Sequence, residues 1–157
     1  MEKEYEVITK NQPIFEKSST KNVRYTIEDN FFTFWFRFIY KYNYMLEIEN
    51  YDAVKTIINR DYETFSGKML ERYFKRVLVE SKVYTRIGSW WDRKGENEID
   101  IVAENELNDE AVFIEVKRKG ENFDAIALNE KMDVFTRATG KFKDYTVSQK
   151  GLSMTDM

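Results

Sequence analysis

The sequence predicts an α/β fold in which a long helix is followed by three strands, a second helix and a last strand. The first helix is predicted from residues 61–80, where apolar side chains recur at the spacing of one helix face. The strands are predicted from apolar runs separated by polar stretches, at about 83–89, 98–104, 111–117 and 144–148. A second helical pattern, at about 125–138, separates the last two runs. This order favours a mixed sheet covered by helices.

Two short strands are predicted before this core, at residues 4–9 and 23–27. The polar loop between them holds the only proline, Pro13. Asp29 suits the N-cap of a helix that runs to about Leu46. This helix is apolar and aromatic on nearly every side, which indicates either that it is buried or that it contacts a partner.

Three parts of the chain are distinguished on this basis. Residues 1–50 form an N-terminal appendage, residues 51–150 form the main domain, and residues 151–157 form a tail that is expected to fray. Residues 47–60, at the junction, are interpreted as a linker followed by a short helix. The length of 157 residues is sufficient for one domain with a packed core and such an appendage.

The composition excludes several kinds of chemistry. The chain has no cysteine and no histidine, so it offers no disulfide, thiol nucleophile or histidine base. It also lacks a GxxxxGK[ST] loop for nucleotide phosphates. Carboxylates remain as metal ligands, and their hard oxygens favour Mg²⁺ or Mn²⁺ over zinc. The net charge of −3 argues against nonspecific binding to DNA, although residues 68–94 are rich in lysine and arginine.

No membrane segment is predicted. The most apolar stretch, FFTFWFRFIY at residues 31–40, is too short to cross a bilayer and contains Arg37. The N-terminus is charged from its second residue, unlike a secretory signal peptide. We therefore expect a soluble, cytoplasmic protein.

Two of the predicted strands each carry an acid where an apolar residue would pack better, Asp100 and Glu115. The short polar loop between these strands favours an antiparallel hairpin, and pairing of Ala103 with Val112 then places Asp100 opposite Glu115. Opposed residues have Cβ atoms about 5 Å apart, and two carboxylates held that close repel each other unless one is protonated or a cation lies between them. The register therefore predicts a Mg²⁺ or Mn²⁺ site, with Lys117 on the same face to orient a water or polarise a phosphate.

Alternation along the first of these strands predicts that Ile99 and Ile101 share one face, opposite that of Asp100. If the long helix packs over the sheet, Glu71 at the edge of its apolar stripe supplies a third carboxylate. The alternative is a solvated sheet face, because antiparallel sheets often expose one side to water. The pattern [DE]-x-K is not specific by itself, since it recurs elsewhere in the chain.

The helix that carries Glu71, the strand with Asp100 in the sequence EID, and the sequence EVK at residues 115–117 resemble the PD-(D/E)XK nuclease superfamily. That superfamily includes type II restriction enzymes and archaeal Holliday-junction resolvases. The resemblance covers residues 62–148. It implies a restriction-endonuclease-like core with the order αβββαβ and a mixed central sheet flanked by helices. Ile99 stands where the superfamily usually has proline.

The same resemblance implies a role for each site residue. Asp100 and Glu115 would bind the metal, Lys117 would be the motif lysine, and Glu71 would match the acid often found on the first core helix. The implied activity is hydrolysis of DNA phosphodiester bonds that depends on Mg²⁺ or Mn²⁺.

Two further segments, YTIEDNFFTFWFRFIYKY at residues 25–42 and IGSWWDRKGENEIDIVA at residues 87–103, resemble the C-terminal domain of archaeal-type AAA-class ATPases, which also occur in bacteria. In that family an ATPase module and a winged helix precede the nuclease-like domain. The resemblance implies that the N-terminal strands are the wing hairpin of a longer protein. It also implies that the ATPase and winged-helix modules are partners and that the aromatic helix meets another domain.

DNA contacts are expected from basic residues and tryptophans around the predicted site. These residues are Arg86, Trp90, Trp91, Arg93, Lys94, Arg118 and Lys119. The two tryptophans are interpreted equally well as core residues. Two other functions stay open: a catalytically inactive DNA-binding or regulatory domain of such an ATPase, and an interaction domain that forms a homodimer or another contact through the aromatic helix.

Overall fold

The computed structural model describes residues 7–17 and 21–157. These residues form two compact units, one with residues 7–11 and 24–69 and the other with residues 12–17, 21–23 and 70–157. The predicted division at residue 50 stays a prediction. Within the described ranges, no helix is long and apolar enough to cross a membrane.

The first unit begins with an antiparallel pair of strands, β1 (Ile8–Asn11) and β2 (Arg24–Ile27). The Asn11 side-chain amide crosses this pair and donates a hydrogen bond to the Thr26 hydroxyl at 2.6 Å. The pair confirms the predicted N-terminal hairpin. Residues 4–6 of the predicted first strand lie outside the described residues.

The aromatic segment that follows is not the single helix predicted up to Leu46. It consists of α1 (Asn30–Phe34), a π-helical segment (Trp35–Ile39), a 3-10 turn (Tyr40–Tyr42) and α2 (Asn43–Glu47). Asp29 caps α1 as predicted, because its carboxylate accepts the Phe32 N–H at 2.9 Å. A π-helical turn holds more residues than an α-helical turn, so it rotates the later side chains relative to α1.

Phe38, in the π-helical segment, is fully buried in the first unit. Its ring centroid lies 5.0 Å from that of Phe34 and 5.5 Å from that of Phe65. On the remaining faces, large rings such as those of Phe31 and Tyr40 are exposed. The burial interpretation is therefore correct for Phe38 and its neighbours, whereas the other faces of this segment leave aromatic rings at the surface.

Helix α3 runs without a break from Tyr51 to Ser81. The sequence prediction divided this region into a linker and a short helix, at residues 47–60, and a separate long helix. A linker is present only at residues 48–50, between α2 and α3. Residues 51–61 contain neither proline nor glycine, so no residue type there separates the predicted short helix from the long one.

A four-stranded mixed sheet forms the centre of the second unit. In sheet order, its strands are β3 (Arg86–Trp91), β4 (Glu98–Asn105), β5 (Glu110–Val116) and β6 (Thr146–Leu152). The first three are antiparallel neighbours, whereas β6 is parallel to β5 and is reached through helix α4 (Ala125–Thr139). This order confirms the predicted mixed α/β architecture.

The two ends of this unit differ from the prediction. Strand β3 includes Trp90 and Trp91, which were predicted to lie in a loop, because they pair with the start of β4. The prediction that residues 151–157 fray is wrong for Leu152 and Ser153, since both are buried. Ser153 also caps a final 3-10 turn through reciprocal hydrogen bonds with that turn, which hold the C-terminal residues in place.

Two apolar clusters cover the two faces of the sheet. The α4-side cluster comprises Ile14, Trp90, Ile99, Val102, Ala111, Phe113, Leu128, Phe135 and Phe142. The α3-side cluster comprises Leu70, Phe74, Ile101, Ile114, Val116 and Leu152. Alternation along β5 sends Phe113 to the first cluster and Ile114 to the second, so Glu115 falls on the α4 side.

A β-bulge interrupts β4 at the predicted site. Two of its residues, Asp100 and Ile101, lie opposite a single residue of β3, Ser89. The extra residue shifts the alternation, so Ile99 packs in the α4-side cluster and Ile101 in the α3-side cluster. The prediction that Ile99 and Ile101 share a face is therefore wrong. The Ser89 carbonyl accepts the Ile14 N–H at 2.8 Å, which satisfies a backbone group at the bulge.

Gly151 of β6 pairs with Glu115, and a Cβ added to it would lie 2.5 Å from Cγ of Phe123. We expect Gly151→Ala to lower the free energy of unfolding by about 1–3 kcal/mol, because the Phe123 ring has to move. Urea denaturation measures the change. Gly67→Ala in α3 is the control: its added methyl meets nothing within 4 Å, and we expect a gain of about 0.5–1 kcal/mol. Unchanged stability of Gly151→Ala would contradict the tight contact.

Candidate functional site

The predicted pairing of Ala103 with Val112 is confirmed, and at the other end of the hairpin the last paired residues are Ile101 and Ile114. Beyond that pair, a side chain of β4 accepts a hydrogen bond from the backbone of β5. The Asp100 carboxylate oxygen Oδ2 accepts the backbone N–H of Val116 at 2.8 Å. The bulge and this hydrogen bond hold the Asp100 carboxylate at the end of β5.

Glu115 is the most enclosed carboxylate of the predicted site, with 7% of its surface exposed. Its oxygen Oε1 accepts hydrogen bonds from two ammonium groups, Lys117 Nζ at 2.8 Å and Lys131 Nζ at 2.9 Å. The other oxygen, Oε2, is buried, and none of the described residues donates a hydrogen bond to it. A buried carboxylate oxygen without a donor is unusual and is available to a cation.

The charges of this cluster reinforce one another. Burial by itself lowers the pKa of the Lys117 ammonium. The hydrogen bond and charge of Glu115, with the charges of Asp100 and Glu71, have the larger and opposite effect, so the pKa lies above its usual value. Burial raises the pKa of Glu115, whereas its hydrogen bonds and charge interactions with Lys117 and Lys131 lower it below the usual value. Lys117 therefore contacts Glu115 directly and lies within reach of the charges of Asp100 and Glu71.

Glu115 predicts how stability depends on acidity. Because its pKa is lower in the folded state than its usual 4.5, its contribution is complete above that pH and is lost as the pH falls through the folded-state pKa. We expect the stability advantage of the wild type over Glu115→Gln in metal-free buffer to be smaller at about pH 3 than at about pH 6, with the loss confined to pH values below about 4.5. Urea denaturation across that range tests this, and an advantage that grows on acidification would contradict it.

Lys131 was not predicted from the sequence. It lies on α4 three residues after Leu128 and four before Phe135, both of which are buried in the α4-side cluster. These spacings place Lys131 on the face of α4 that packs on the sheet. A lysine within an apolar helical stripe was the available signal, but its partner is sixteen residues away on β5.

Glu71 is half-buried on α3, next to Leu70 of the α3-side cluster. Its charge acts on Lys117. Across residues 7–17 and 21–157, however, no three acidic side chains form a ready-made metal site. The metal site of Asp100, Glu115 and Glu71 therefore stays a prediction.

The residues predicted to contact DNA occupy different environments. Trp90 and Trp91 are buried, with 3% and 5% of their surfaces exposed. Trp90 packs on Phe135, and the Trp91 indole N–H donates to the Asn22 side-chain oxygen at 2.8 Å. Both tryptophans therefore match the interpretation that they are core residues. Arg86 is exposed, and its guanidinium lies 3.6 Å from Glu104.

The remaining predicted contacts lie in loops. Arg93 and Lys94 are exposed in a turn that Asp92 organises by accepting the Asn97 side-chain amide and two backbone N–H groups. Hydrogen bonds from Asn97 and from the turn's backbone lower the pKa of Asp92 despite the opposing effect of burial. Lys119 is exposed after β5, and Arg118 is half-buried.

A cleft of about 1010 Å³ adjoins this turn. It brings Arg93 together with two lysines that the sequence did not single out, Lys17 and Lys21. Trp91 and Thr139 also line it. Glu16 and Asp92 line the cleft as well, so two acids partly balance its three cations.

The DUF234 family, described as archaeal and bacterial proteins of unknown function, matches residues 35–128. This match covers more than half of the chain. The chain belongs to the DUF234 family. The matched part of this DUF234 chain contains Glu71, Asp100, Glu115 and Lys117, whereas Lys131 lies just beyond it.

An uncharacterized protein of Methanocaldococcus jannaschii is 37% identical to this DUF234 chain over 123 residues. The aligned region covers 74% of the chain and 27% of the relative, so the chain spans about a quarter of the relative's length. No solved structure matches the chain.

Proposed function

We propose that the second unit is a metal-dependent DNA endonuclease-like domain of the PD-(D/E)XK type, with a restriction-endonuclease-like fold, that hydrolyses phosphodiester bonds. The observation that carries the proposal is the environment of Glu115. A buried carboxylate with one oxygen lacking a donor among the described residues lies beside the motif lysine, Lys117, and near Asp100.

The residues suit Mg²⁺ or Mn²⁺. Asp100 and Glu115 would hold the ion, since both offer carboxylate oxygens and Glu115 Oε2 lies buried without a donor from the described residues. Glu71 is the third carboxylate whose charge acts on the same lysine. When bound, the ion would lower the pKa of a coordinated water and neutralise charge on the phosphate.

The chain's own groups supply positioning. The Val116 N–H orients the Asp100 carboxylate, and the bulge at Asp100 keeps it at the end of β5. Lys117 remains protonated because the surrounding carboxylates raise its pKa, so its ammonium acts as a hydrogen-bond donor to a water or a phosphate oxygen. Exposed cations of the adjoining loops, Arg93, Lys94 and Lys119, then provide contacts to the DNA backbone.

The wider setting that we propose is the C-terminal part of an archaeal-type ATPase, with an ATPase module and a winged helix in the same longer protein. The sequence resemblance of the aromatic segment and of residues 87–103 supports this setting. The relative's greater length is consistent with such additional modules.

One alternative is a catalytically inactive DNA-binding or regulatory domain. Two lysines already compensate Glu115 without a metal ion, and the described residues contain no ready-made group of three acidic ligands. A second alternative is an interaction domain, which the exposed aromatic rings of the first unit favour. Such a surface would support a homodimer or contact with a neighbouring module.

The test is incubation of the protein with Mg²⁺ or Mn²⁺ and with linear, circular or branched DNA, beside the double variant Glu115→Ala/Lys117→Ala. We expect cleavage that requires the metal and is lost in the double variant. DNA binding that survives the double substitution, without cleavage by either protein, would contradict the nuclease and favour the inactive DNA-binding domain. Self-association without DNA binding would favour the interaction domain.

A further inference from the structure

The contact between Lys131 and Glu115 bears on how many metal ions the cluster accepts. In sites with two divalent ions, the ions lie about 3.5–4 Å apart and stabilise both the attacking and the leaving oxygen. A carboxylate between two such ions offers one oxygen to each. Of the two Glu115 oxygens, Oε1 already accepts hydrogen bonds from Lys117 and Lys131, whereas Oε2 has no donor among the described residues.

The position of Lys131 is built into the fold. Its helix is anchored on the sheet by Leu128 and Phe135, which are both fully buried on either side of it. The Lys131 side chain is about one quarter exposed, so its ammonium is only partly solvated and gains from the contact with the carboxylate. Lys117, directly after β5, reaches the same oxygen, so the two ammonium groups approach Glu115 from different parts of the fold.

The charge balance favours one ion. The three negative charges of Glu71, Asp100 and Glu115 all act on Lys117. The two positive charges are the ammonium groups of Lys117 and Lys131, which both donate to Glu115. One divalent cation changes the net charge of the cluster from −1 to +1, whereas two would bring it to +3. Concentrating that much like charge around a buried carboxylate is unfavourable at low effective dielectric constant.

We propose that the Lys131 ammonium takes the place of a second divalent cation, so that the cluster binds one Mg²⁺ or Mn²⁺ per chain. This inference rests on the proposed function. The Lys131 ammonium then supplies the second positive charge near the phosphate and needs no metal ligands of its own.

Mn²⁺ binding to the full chain tests the inference without reference to activity. Isothermal titration calorimetry gives the number of ions per chain, and electron paramagnetic resonance distinguishes an isolated Mn²⁺ from a coupled pair. We expect one isolated ion in the wild type and in Lys131→Arg. In Lys131→Met, which frees Oε1 of one ammonium group, we expect a second ion and a coupled spectrum. Lys143→Met replaces an exposed lysine and should keep the wild-type value.

The possible results distinguish the proposed metal-dependent function from the inference about Lys131. No Mn²⁺ binding by the wild type would overturn the proposed metal-dependent function and the inference together. Two coupled ions in the wild type would overturn the inference and leave the metal site standing. One ion in both the wild type and a folded Lys131→Met variant would show that Lys131 does not exclude the second ion. If Lys131→Met does not fold, two ions in Lys131→Arg would overturn the inference, since arginine retains the charge.

Discussion

Metal-dependent DNA cleavage is expected to fall by about 10³-fold in Asp100→Asn, while the domain stays folded. Asparagine keeps a side-chain oxygen that can accept the Val116 N–H, which Asp100 Oδ2 now accepts at 2.8 Å. It removes the negative charge that would attract the divalent ion. Cleavage rates at saturating Mn²⁺ and thermal unfolding of the same preparations measure the two effects separately.

A matched control lies on the same strand. Glu104 is also a buried carboxylate of β4, and its Oε2, like that of Glu115, has no hydrogen-bond donor among the described residues. That oxygen, however, lies 3.6 Å from the Arg86 guanidinium, and Oε1 accepts a hydrogen bond from the Tyr145 hydroxyl at 3.2 Å. Glu104→Gln should leave cleavage close to the wild-type rate. Undiminished cleavage by Asp100→Asn would remove Asp100 from the site. Asp100→Ala is a poorer test, because it leaves the Val116 N–H without its side-chain acceptor at a cost of about 1–3 kcal/mol.

The largest loss of stability is expected at Phe135. This side chain is 0% exposed, and we expect Phe135→Ala to lower the free energy of unfolding by about 3–5 kcal/mol. The cost is high because the ring lies at the centre of an aromatic group, with centroids 5.5 Å from Trp90 and 5.1 Å from Phe113. The neighbouring rings, on β3 and β5, cannot both move to fill the space. Urea denaturation measures the change.

Ile126→Ala, on the same helix, serves as the control for Phe135→Ala. Ile126 is 74% exposed, so its truncation should change the free energy of unfolding by no more than about 0.5 kcal/mol. A similarly small effect at Phe135 would mean that α4 does not pack on the sheet as described. That result would also remove the support for the position of Lys131.

The packing of α4 on the sheet also bears on the candidate site. Phe135 and Leu128 anchor α4 by apolar contact, and the same helix brings the Lys131 ammonium to Glu115 at 2.9 Å. Burial of Glu115 is tolerated because two ammonium groups compensate its charge. Packing and site chemistry are therefore linked through a single helix.

Much of the architecture could be predicted because its signals are local. Apolar alternation and a short polar loop were sufficient for the hairpin of β4 and β5, including the pairing of Ala103 with Val112. A slip of one residue would have turned a set of apolar side chains towards water, so the pattern specified the register. Asp29 was recognisable as an N-cap because capping depends on a backbone N–H only three residues away.

Other features depended on contacts between distant segments. The bulge at Asp100 arises from pairing with β3 and is completed by Ile14, which lies more than eighty residues earlier in the chain. It reversed the expected placement of Ile99 relative to Ile101. The aromatic pattern of residues 30–46 allowed a single helix, but packing of Phe38 against Phe65 accompanies a π-helical turn instead.

The amino-acid pattern alone thus determined the order of the sheet strands and the hairpin register, because periodicity and strand alternation are properties of short segments. It also led to the prediction of Asp100, Glu115 and Lys117 as site residues. Tertiary packing decided the direction of Asp100, the burial of both tryptophans and the arrival of Lys131 at Glu115. Those outcomes depend on which helix face meets which sheet face, and that choice is made by the combined burial of side chains far apart in the chain.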